Sequence, residues 1–305
     1  MPGQSRPPWR LLDTGPADGF DNMAVDEAIL ELHAAERGPS TLRFYTWSPP
    51  ALSLGYGQPI DSHLDPERCQ SLGIDVVRRP TGGLAVLHDH EVTYSIVISA
   101  DDPRATTGVL ASYLTISQAL IRGLAYLGIS AELLPLRRGN LLPSKSASPV
   151  CFAVPSSYEV AVRGRKIIGS AQRRAHGAIM QHGSVPISWD LDRLRAVFGW
   201  SPHGGRSARA MPEYYASMTS LQEAGGRTYE YAEVVSALAR GIAGTWEVEL
   251  VPGQLTTAER QLAAHLRQSK YRSELWTWQR TSRAGVFGHD TASSLPERPP
   301  LPAPG

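Results

Sequence analysis

Residues 151–184 of the chain read CFAVPSSYEVAVRGRKIIGSAQRRAHGAIMQHGS. Within this segment, residues 158–162 and 166–172 are rich in β-branched and other apolar side chains, and the Arg-Gly-Arg sequence between them is typical of a turn. The pattern predicts a β-hairpin, and residues 178–187 predict another strand. The segment therefore predicts at least three strands of a β-sheet.

The same segment contains a rare thiol and a rare ammonium group. Cys151 is one of two cysteines, and Lys166 is one of three lysines in a chain whose other 27 basic residues are arginine. Lys166 is therefore expected where a planar guanidinium would fail. An ammonium group stabilises a thiolate, so the two residues suggest a cysteine nucleophile assisted by a cation. A small buried cysteine and a surface lysine in a hairpin are the alternatives.

The rest of the chain mixes helical and extended patterns. Residues 21–35 predict an amphipathic helix, with Met23 and Ile29 on one side and Asp26 and Glu27 on the opposite side. Further strands are predicted over 41–47, 51–54, 74–79, 84–88, 92–99 and 246–251, and further helices over 66–72, 109–127, 190–198, 229–243 and 256–268. This mixture predicts an α+β fold, a mixed β-sheet flanked by helices.

The composition argues against several classes of protein. The chain has 305 residues, 42% of them hydrophobic, which suits one large domain with a substantial core. A net charge of +1 argues against nucleic-acid and membrane-surface partners. The two cysteines form neither a disulfide framework nor a metal-ligand spacing, and the N-terminal residues lack the apolar core of a signal peptide, so a cytoplasmic location is expected. No apolar run approaches the roughly 18 residues of a membrane span.

Residues 78–83 read RRPTGG and follow a predicted strand. Two glycines at a strand end let backbone N–H groups approach an anionic or carbonyl oxygen, and an arginine beside them completes such a site. A tight turn with solvated arginines explains the same residues equally well. The segment is neither a P-loop nor a dinucleotide-binding motif, because the glycine and lysine spacings of both are missing.

Two other polar segments have more than one interpretation. Residues 88–91 read HDHE, and His88 and His90 share one face of a strand as metal ligands do. No second ligand cluster accompanies them, so we expect no metal and interpret the acidic pair as the cap of a turn. His182 is either a catalytic base or a packed strand residue, and the sequence does not choose between these roles.

Several of these motifs together resemble the lipoate-protein ligase A/octanoyltransferase family. The similarity extends from about residue 11 to residue 251. It rests on NMAVDEA at 22–28, LSLGY at 52–56, RRPTGG, AVLHD and EVTYS between 78 and 95, GRKIIGSAQ at 164–172 and QHGS at 181–184. The fold that the resemblance implies is the biotin/lipoate ligase catalytic domain, which is also α+β.

The order of cysteine and lysine resembles one branch of this family. Its ATP-dependent ligases form an acyl-adenylate and need no cysteine at position 151, and one transferase branch has its cysteine after the lysine. The LipM-type octanoyltransferases have the cysteine before the lysine, in a Cys-Phe-x-x-Pro-Ser context. This chain has CFAVPS at 151–156 and no cysteine after Lys166.

The resemblance implies a reaction and a set of site residues. An octanoyl group would move from octanoyl-acyl carrier protein, through a thioester on Cys151, to the lysine of a lipoyl domain, with the glycine-cleavage H protein as the expected acceptor. Neither ATP nor a metal is required. The implied catalytic residues are Cys151 and Lys166, and the implied substrate-binding residues are Arg79, Thr81, Gly82, Gly83, Ala85, His88, Gly169, Ser170, Ala171, His182 and Gly183. Leu84, Ala85 and Val86 are expected in the pocket wall.

Other expectations concern partners and organisation. Arg137, Arg138, Arg173 and Arg174 form either a docking patch for the acidic carrier protein or a solvated surface. Residues 1–251 are expected to form the catalytic domain, 252–288 a helical extension, and 289–305 a proline-rich disordered tail. Residues 137–149 predict a mobile loop over the site, and the protein is expected to be a monomer. The alternatives are an ATP-dependent lipoate ligase, which would use ATP and Mg²⁺ with free lipoate or octanoate, and a non-catalytic protein that binds an acyl group or a lipoyl domain.

Overall fold

A computed structural model describes residues 7–35, 38–60, 65–103, 108–135, 158–198 and 216–279. Cys151, Arg137 and Arg138 lie outside the described residues. So do the predicted loop at 137–149 and the predicted tail from residue 289.

The segment around Lys166 forms three antiparallel strands in succession. They are β8 (Tyr158–Val162), β9 (Arg165–Ala175) and β10 (Ala178–Pro186). Two-residue turns join them, with φ of 51° and 76° at Arg163 and Gly164, and 50° and 79° at His176 and Gly177. Positive φ at both central residues is what the tight turns of twisted hairpins require, and glycine adopts it without strain. The two turns therefore set the register in which the three strands pair.

These strands belong to a mixed sheet that has eight strands among the described residues. Its order is β11-β1-β2-β6-β10-β9-β8-β7, with β1 (Trp9–Ala17), β2 (Thr41–Trp47), β6 (Glu91–Ser99), β7 (Glu132–Pro135) and β11 (Leu250–Pro252). Strand β1 runs parallel to both β11 and β2, and the other neighbours are antiparallel. His182 on β10 lies opposite Ser95 on β6 and Ala171 on β9, so it stands near the middle of the sheet.

A smaller sheet of three described strands lies beside the large one. It has the order β4-β3-β5, with β3 (Ala51–Leu54), β4 (Asp75–Arg78) and β5 (Val86–His88). Helix α2 (Pro66–Ser71) precedes β4 and buries Cys69 in an apolar cluster with Leu52 and Ile74. Burial raises the pKa of the Cys69 thiol to about 11, so this thiol is protonated and unreactive at neutral pH.

Helices cover both faces of the large sheet. On one face, α3 (Val109–Tyr126) and α6 (Tyr231–Trp246) share a core cluster with apolar residues of the strands. On the opposite face, α1 (Gly19–Ala34) packs on the sheet, and α7 (Thr257–Leu266) packs on α1. The remaining described helices are α4 (Leu191–Phe198), α5 (Leu221–Gly225), a π-helical turn (Arg267–Tyr271) and α8 (Glu274–Gln279). The predicted α+β class, with a mixed sheet flanked by helices, is confirmed.

The described part of the C-terminal segment is tied to the N-terminal part by buried polar contacts. Arg10 on β1 donates to both carboxylate oxygens of Glu259 on α7, at 2.7 and 2.5 Å, and both side chains are buried. The Arg78 guanidinium donates to the Thr277 carbonyl on α8 at 2.8 Å. Helices α7 and α8 therefore pack as part of the described fold around β1 and β4.

Two predictions, one about a helix and one about a strand, are wrong. Asp26 and Glu27 were predicted to lie opposite the apolar side of α1, but both are buried, because each meets a buried cation from another element. The predicted strand at 246–251 is also wrong at its start, because Trp246 ends α6 and packs edge-on against Trp9. Strands β1 and β7 and helix α8 were not predicted from the sequence.

No helix within the described ranges is both long enough and apolar enough to span a lipid bilayer.

The contact between α3 and α6 is close enough to forbid a methyl group. A Cβ atom on Gly241 would lie 2.4 Å from the Gly123 nitrogen and 2.6 Å from the Ala119 carbonyl oxygen. We predict that Gly241→Ala lowers the free energy of unfolding by about 1–3 kcal/mol, because both opposing atoms belong to the backbone. Urea unfolding followed by circular dichroism measures the change.

Gly244→Ala is the matched control in the same helix. Its Cβ would lie 3.2 Å from the Arg122 guanidinium carbon, which is the end of a flexible side chain. This variant is expected to be unchanged or more stable by up to about 1 kcal/mol, since alanine favours helix over glycine. Equal stability of the two variants would contradict the proposed packing of α3 on α6.

Candidate active site

A cleft lies between the large sheet, α1 and the small sheet. Half of its fourteen lining residues are aromatic, aliphatic or glycine, and the other half are polar side chains that bond to one another or to neighbouring buried groups. The lining residues are Met23, Tyr45, Trp47, Ser53, Arg79, Val86, His88, Thr93, Gly169, Ser170, Ala171, His182, Gly183 and Ser184. An apolar cleft with a few placed polar groups is the usual form of a binding site for a small apolar ligand.

His182 lies on the sheet side of the cleft and bonds at both ring nitrogens. Its Nδ1 is 3.0 Å from the Asp26 Oδ2 atom on α1, and its Nε2 is 2.7 Å from the Thr81 hydroxyl. Burial lowers the pKa of His182 below its usual value, although Asp26 opposes the shift. The ring is therefore neutral at pH 7, with the proton on Nδ1, because an ionised carboxylate only accepts.

Asp26 is held by three donors. The Arg43 guanidinium lies 2.7 Å from its Oδ1, and the Tyr45 hydroxyl donates to its Oδ2 at 2.9 Å. Burial alone would raise the pKa of Asp26, but the Arg43 charge and the His182 hydrogen bond outweigh it and hold the pKa below the usual value. The carboxylate therefore stays ionised inside the protein and fixes the His182 ring.

His88 forms a second chain of hydrogen bonds on the opposite wall. Its Nδ1 is 2.8 Å from Glu91 Oε1, its Nε2 is 2.7 Å from the Ser53 hydroxyl, and its ring stacks on Trp47 at 4.0 Å. Glu91 also accepts from Thr93 at 2.5 Å. Burial would raise the pKa of Glu91, but His88 and the hydroxyl donors lower it below its usual value.

The two arginines of the RRPTGG segment are buried, so the interpretation as solvated arginines is wrong. Arg78 donates to the carbonyl oxygens of Gly55 at 2.6 Å and Gln58 at 2.9 Å. Arg79 donates to the Ser53 carbonyl at 3.0 Å and to the Gly82 carbonyl at 2.7 Å. Both arginines hold the loop that follows β4, and Arg79 also lines the cleft.

The predicted substrate-binding residues divide into three groups. Those that line the cleft are Arg79, His88, Gly169, Ser170, Ala171, His182 and Gly183, together with Val86 of the predicted wall. Thr81 is buried one hydrogen bond from His182. Gly82, Gly83, Leu84 and Ala85 are not among the residues around the described cleft. The Gly83 carbonyl instead occupies the place that a Cβ on Gly55 would take, 1.8 Å away.

Lys166 is buried next to a carboxylate. Its Nζ donates to Glu159 Oε1 at 2.6 Å, and its side chain is only 4% exposed. The hairpin register brings β8 and β9 together, with Lys166 opposite Ala161, and the Lys166 carbonyl accepts from Thr219. Lys166 is therefore not a solvated surface charge. It is not among the residues that line the described cleft.

The other described lysine has a similar environment. Lys270 in the π-helical turn donates to both oxygens of Glu27 at 2.7 Å and lies 4.0 Å from the Trp276 ring. Burial lowers the pKa of Lys270, and Glu27 opposes the shift. Arg173 donates to the same Glu27 at 3.0 Å.

The arginines proposed for carrier docking have partners within the chain. Arg173 is three-quarters buried beside Glu27, and Arg174 donates to the Gly108 carbonyl at 2.8 Å and to the Ser112 hydroxyl at 2.9 Å. These contacts order the end of β9 against the start of α3. The docking role of the two arginines stays a prediction.

Sequence reasoning missed six residues of the cleft as site residues. They are Met23, Tyr45, Trp47, Ser53, Thr93 and Ser184. Met23, Ser53, Thr93 and Ser184 lie within the motifs that carried the family resemblance, so the motifs themselves held a signal for them. The sequence held no such signal for Tyr45 and Trp47 beyond their place in a predicted strand. Within the described ranges, no group of three or more His, Cys, Asp or Glu side chains is arranged to hold a metal ion.

Comparison with known proteins identifies the family. The family described as the lipoyl protein ligase A/B catalytic domain matches residues 18–243. The chain belongs to this family. The resemblance seen in the sequence motifs is therefore confirmed, and the strands and helices around the cleft are those of a lipoyl ligase catalytic domain.

Individual relatives indicate which branch of the family the chain is similar to. The Octanoyltransferase LipM of Moorella thermoacetica is 42% identical over 276 residues, covering 90% of this chain and 98% of the relative. The Octanoyltransferase LipM of Kyrpidia tusciae is 41% identical and covers 89% and 99%. Among solved structures of the same family, lipoate-protein ligase A bound with ATP has a TM-score of 0.72 at 26% identity, covering 89% of this chain and 99% of that one. The resemblance to LipM-type octanoyltransferases is confirmed.

We predict that His182 makes stability depend on pH in the weakly acidic range. Because its pKa in the folded state lies below the usual 6.5, the unfolded chain takes up the proton first as the pH falls. The contribution is complete above pH 6.5 and is lost as the pH falls from 6.5 towards the folded-state pKa. Urea unfolding at pH 7.5, 6.5 and 5.5 measures the slope.

His182→Gln is expected to reduce that slope. The control is His176→Gln, since the His176 side chain is 71% exposed in the β9–β10 turn. The control is expected to keep the slope of the parent chain. An unchanged slope in His182→Gln would contradict the buried, neutral state of this ring.

Proposed function

We propose that this octanoyltransferase carries the octanoyl group as a thioester on Cys151 before passing it to a lysine of a lipoyl domain. The chain is an acyltransferase of lipoate biosynthesis, as its relatives named Octanoyltransferase LipM are about 40% identical along nine-tenths of its length. The observation that carries the proposal is the apolar cleft beside β9, the strand that contains Lys166.

The cleft suits a short unbranched acyl chain. Met23, Trp47 and Val86 provide apolar contact, and Gly169 and Gly183 add no side chain to the wall of the sheet. Burial contributes about 0.8 kcal/mol per methylene group, so an octanoyl tail gains roughly 5 kcal/mol on entering such a site. The polar side chains of the walls already have hydrogen-bond partners within the protein, which lowers the cost of placing hydrocarbon beside them.

The reaction has two half-steps. In the first, the Cys151 thiolate attacks the thioester of octanoyl-acyl carrier protein, and the phosphopantetheine thiolate leaves. In the second, the acceptor amine attacks the octanoyl-Cys151 thioester, an amide forms as the nitrogen loses one proton to solvent, and the Cys151 thiolate leaves. A free cysteine has a pKa of about 8.5, so a nearby cation raises the thiolate fraction at neutral pH. We assign this role to the Lys166 ammonium, which also stabilises the developing oxyanion.

Glu159 gives Lys166 its orientation in this proposal. The 2.6 Å contact between Lys166 Nζ and Glu159 Oε1 lies in a buried site where neither side chain moves freely. Glu159 is only eight residues from Cys151 in the chain. It lies on β8, and β8 pairs with β9, the strand that contains Lys166. An ammonium only donates, and a donor of this kind stabilises a thiolate and a developing oxyanion.

The acceptor that we propose is a lipoyl domain, and specifically that of the glycine-cleavage H protein. A solved bipartite lipoate protein ligase of Thermoplasma acidophilum, studied with its E2 lipoyl domain, has a TM-score of 0.72 to this chain at 26% identity and covers 90% of it. That likeness supports a lipoyl domain as the partner of this fold. The donor that we propose is octanoyl-acyl carrier protein.

An octanoyltransferase of this kind needs no ATP, because a thioester is already an activated acyl group. The alternative is an ATP-dependent ligase that uses free lipoate or octanoate, and the likeness to lipoate-protein ligase A bound with ATP supports it. The two functions differ in two observables, the need for ATP and the need for Cys151. A ligase requires ATP and is insensitive to loss of Cys151, whereas the transferase requires the cysteine.

We predict that the full chain gains the mass of one octanoyl group when it is mixed with octanoyl-acyl carrier protein, with or without ATP. Cys151→Ala is expected to gain none, because it lacks the thiol that forms the thioester. Intact-mass spectrometry after an acid quench measures both. Cys69→Ala is the matched control, since this thiol is buried and protonated, and it is expected to be acylated like the parent chain. Acylation of Cys151→Ala would refute the thioester intermediate.

We predict that Lys166→Arg slows acylation by about 100-fold while leaving the chain folded. The charge opposite Glu159 is kept, but a planar guanidinium does not place its protons where an ammonium does, and small misplacements cost rate. Single-turnover acylation followed by mass spectrometry measures the loss.

Lys270→Arg is the control for this change, as Lys270 is also buried against a glutamate. It is expected to acylate at a rate near that of the parent chain, whatever its effect on stability. Acylation of Lys166→Arg at the parental rate would remove Lys166 from the proposed mechanism.

A further inference from the structure

One row of residues across the large sheet places two hydroxyl groups in the wall of the cleft. Thr93 on β6 lies opposite Ser184 on β10, and Ser184 lies opposite Gly169 on β9. All three residues line the cleft, and Thr93 and Ser184 are buried. Because directly opposite side chains project from the same face of a sheet, the two hydroxyl groups stand side by side. They therefore face the space in which the acyl chain is proposed to lie.

One buried carboxylate accepts the protons of both hydroxyl groups. Glu91, two residues before Thr93 on β6, accepts from Thr93 at Oε1 at 2.5 Å and from Ser184 at Oε2. Burial would raise the pKa of Glu91, but His88 and the two hydroxyl groups lower it below its usual value. The carboxylate is therefore ionised and only accepts. Thr93 and Ser184 consequently direct their protons at Glu91 rather than into the cleft.

Other polar side chains of the cleft also donate to partners within the protein. The Tyr45 hydroxyl donates to Asp26 at 2.9 Å, and the His182 Nδ1 proton is directed at the same carboxylate, 3.0 Å away. The Trp47 indole N–H donates to the Thr93 oxygen at 2.7 Å. Two buried carboxylates therefore fix the direction in which most of these donors point.

The Ser184 oxygen keeps a site at which it can accept. A hydroxyl oxygen has two lone pairs in addition to its proton. The Thr93 oxygen already accepts from Trp47, whereas no donor within the described ranges bonds to the Ser184 oxygen. A ligand hydroxyl has a proton to give to this oxygen. A ketone has none, because a carbonyl oxygen only accepts.

We propose that Glu91 makes the cleft selective for fully reduced acyl chains, acting as the residue that positions the Thr93 and Ser184 hydroxyl groups. A keto oxygen in the cleft would lose its hydrogen bonds to water beside donors that already have partners. A hydroxyl group on the same carbon would lose less, because it donates to Ser184. A plain octanoyl chain has no such group to desolvate. The inference rests on the proposed function, since it takes the cleft as the site of the acyl chain.

This order of ligands differs from the order that a merely apolar cleft would produce. An apolar wall has no acceptor, so it leaves a ketone and an alcohol equally without a partner and gives the alcohol no advantage. A wall whose donors are held by a carboxylate, and whose Ser184 oxygen still accepts, penalises the ketone more than the alcohol. The difference in affinity between ketone and alcohol therefore tests the proposal separately from the general hydrophobicity of the cleft.

The test measures equilibrium binding to the full chain and requires no acyl transfer. Octanamide, and octanamides with one ketone or one alcohol at carbon 3, 5 or 7, are titrated by isothermal titration calorimetry. Octanamide is expected to bind most tightly. At the carbon that meets Ser184, the alcohol is expected to bind about 10-fold more tightly than the ketone, which leaves an acceptor unpaired. Ketones that bind as tightly as the alcohols at all three carbons would overturn the proposal.

Two variants locate the selectivity in the hydroxyl pair. Ser184→Ala is expected to remove the advantage of the alcohol, because the acceptor is lost. Glu91→Gln is expected to improve ketone binding relative to octanamide by about 10-fold, since an amide N–H donates to a hydroxyl oxygen and releases that hydroxyl proton to the ligand. If Glu91→Gln does not fold, Ser184→Ala decides the question. An unchanged ratio of ketone to alcohol affinity in Ser184→Ala would contradict the proposal.

Glu27→Gln is the matched control. Glu27 is also a buried glutamate with three donors, but none of them is among the residues that line the described cleft. The donors are Lys270, Tyr271 and Arg173. This variant is expected to keep the parental order of the ligands, whatever its effect on stability. A change of order in Glu27→Gln as large as in Glu91→Gln would refute a specific role for Glu91.

Acylation of the parent chain by octanoyl-acyl carrier protein, followed by intact mass, separates this inference from the proposed function. If no acyl-enzyme forms but the alcohol still binds more tightly than the ketone, the proposed function fails and the selectivity of the cleft is supported. If an acyl-enzyme forms but the alcohol has no advantage over the ketone, the selectivity alone is refuted.

Discussion

The ion pair between Asp26 and Arg43 lies where α1 crosses the large sheet, and neither side chain has contact with solvent. Removing either partner would leave an uncompensated buried charge, which costs about 3–5 kcal/mol. The same carboxylate binds Tyr45 and His182, so one wall of the cleft is aligned by a single charged group. The helix, two strands and the cleft therefore depend on one another through Asp26.

The rarity of lysine has a physical meaning that the sequence only partly revealed. Lys166 and Lys270 are both buried, and each bonds to a glutamate at 2.6–2.7 Å. An ammonium is a compact point charge whereas a guanidinium is planar, and Lys270 also packs on the Trp276 ring. Both lysines in the described part of this arginine-rich chain therefore form buried ion pairs. The catalytic role of Lys166 rests on the family resemblance and on its neighbours.

Most strands of the sheets followed from local pattern, because alternating or continuous β-branched residues and turn glycines act within a few residues. Helix α1 was predicted with nearly correct ends, but Asp26 and Glu27 were placed on the wrong side. Periodicity treats an acidic residue as exposed, and it has no knowledge of the cations that Arg43 and Lys270 bring to α1 from other elements. Strand β1 was not predicted because a local pattern contains no information on pairing between distant parts of the chain. This strand is stabilised by pairing with β2 and β11.

The sequence by itself determined the strand and turn pattern around Lys166, the α+β class and the family, since these depend on neighbouring residues and on ordered motifs. Only the tertiary structure decided which motif residues meet. Thr81 and His182 are 101 residues apart in the chain, and Asp26 and His182 are 156 apart, yet each pair is within 3.0 Å. Such contacts depend on the order in which strands join the sheets and on the burial that makes a hydrogen bond there necessary. A local pattern in the sequence contains information on neither the strand order nor the burial.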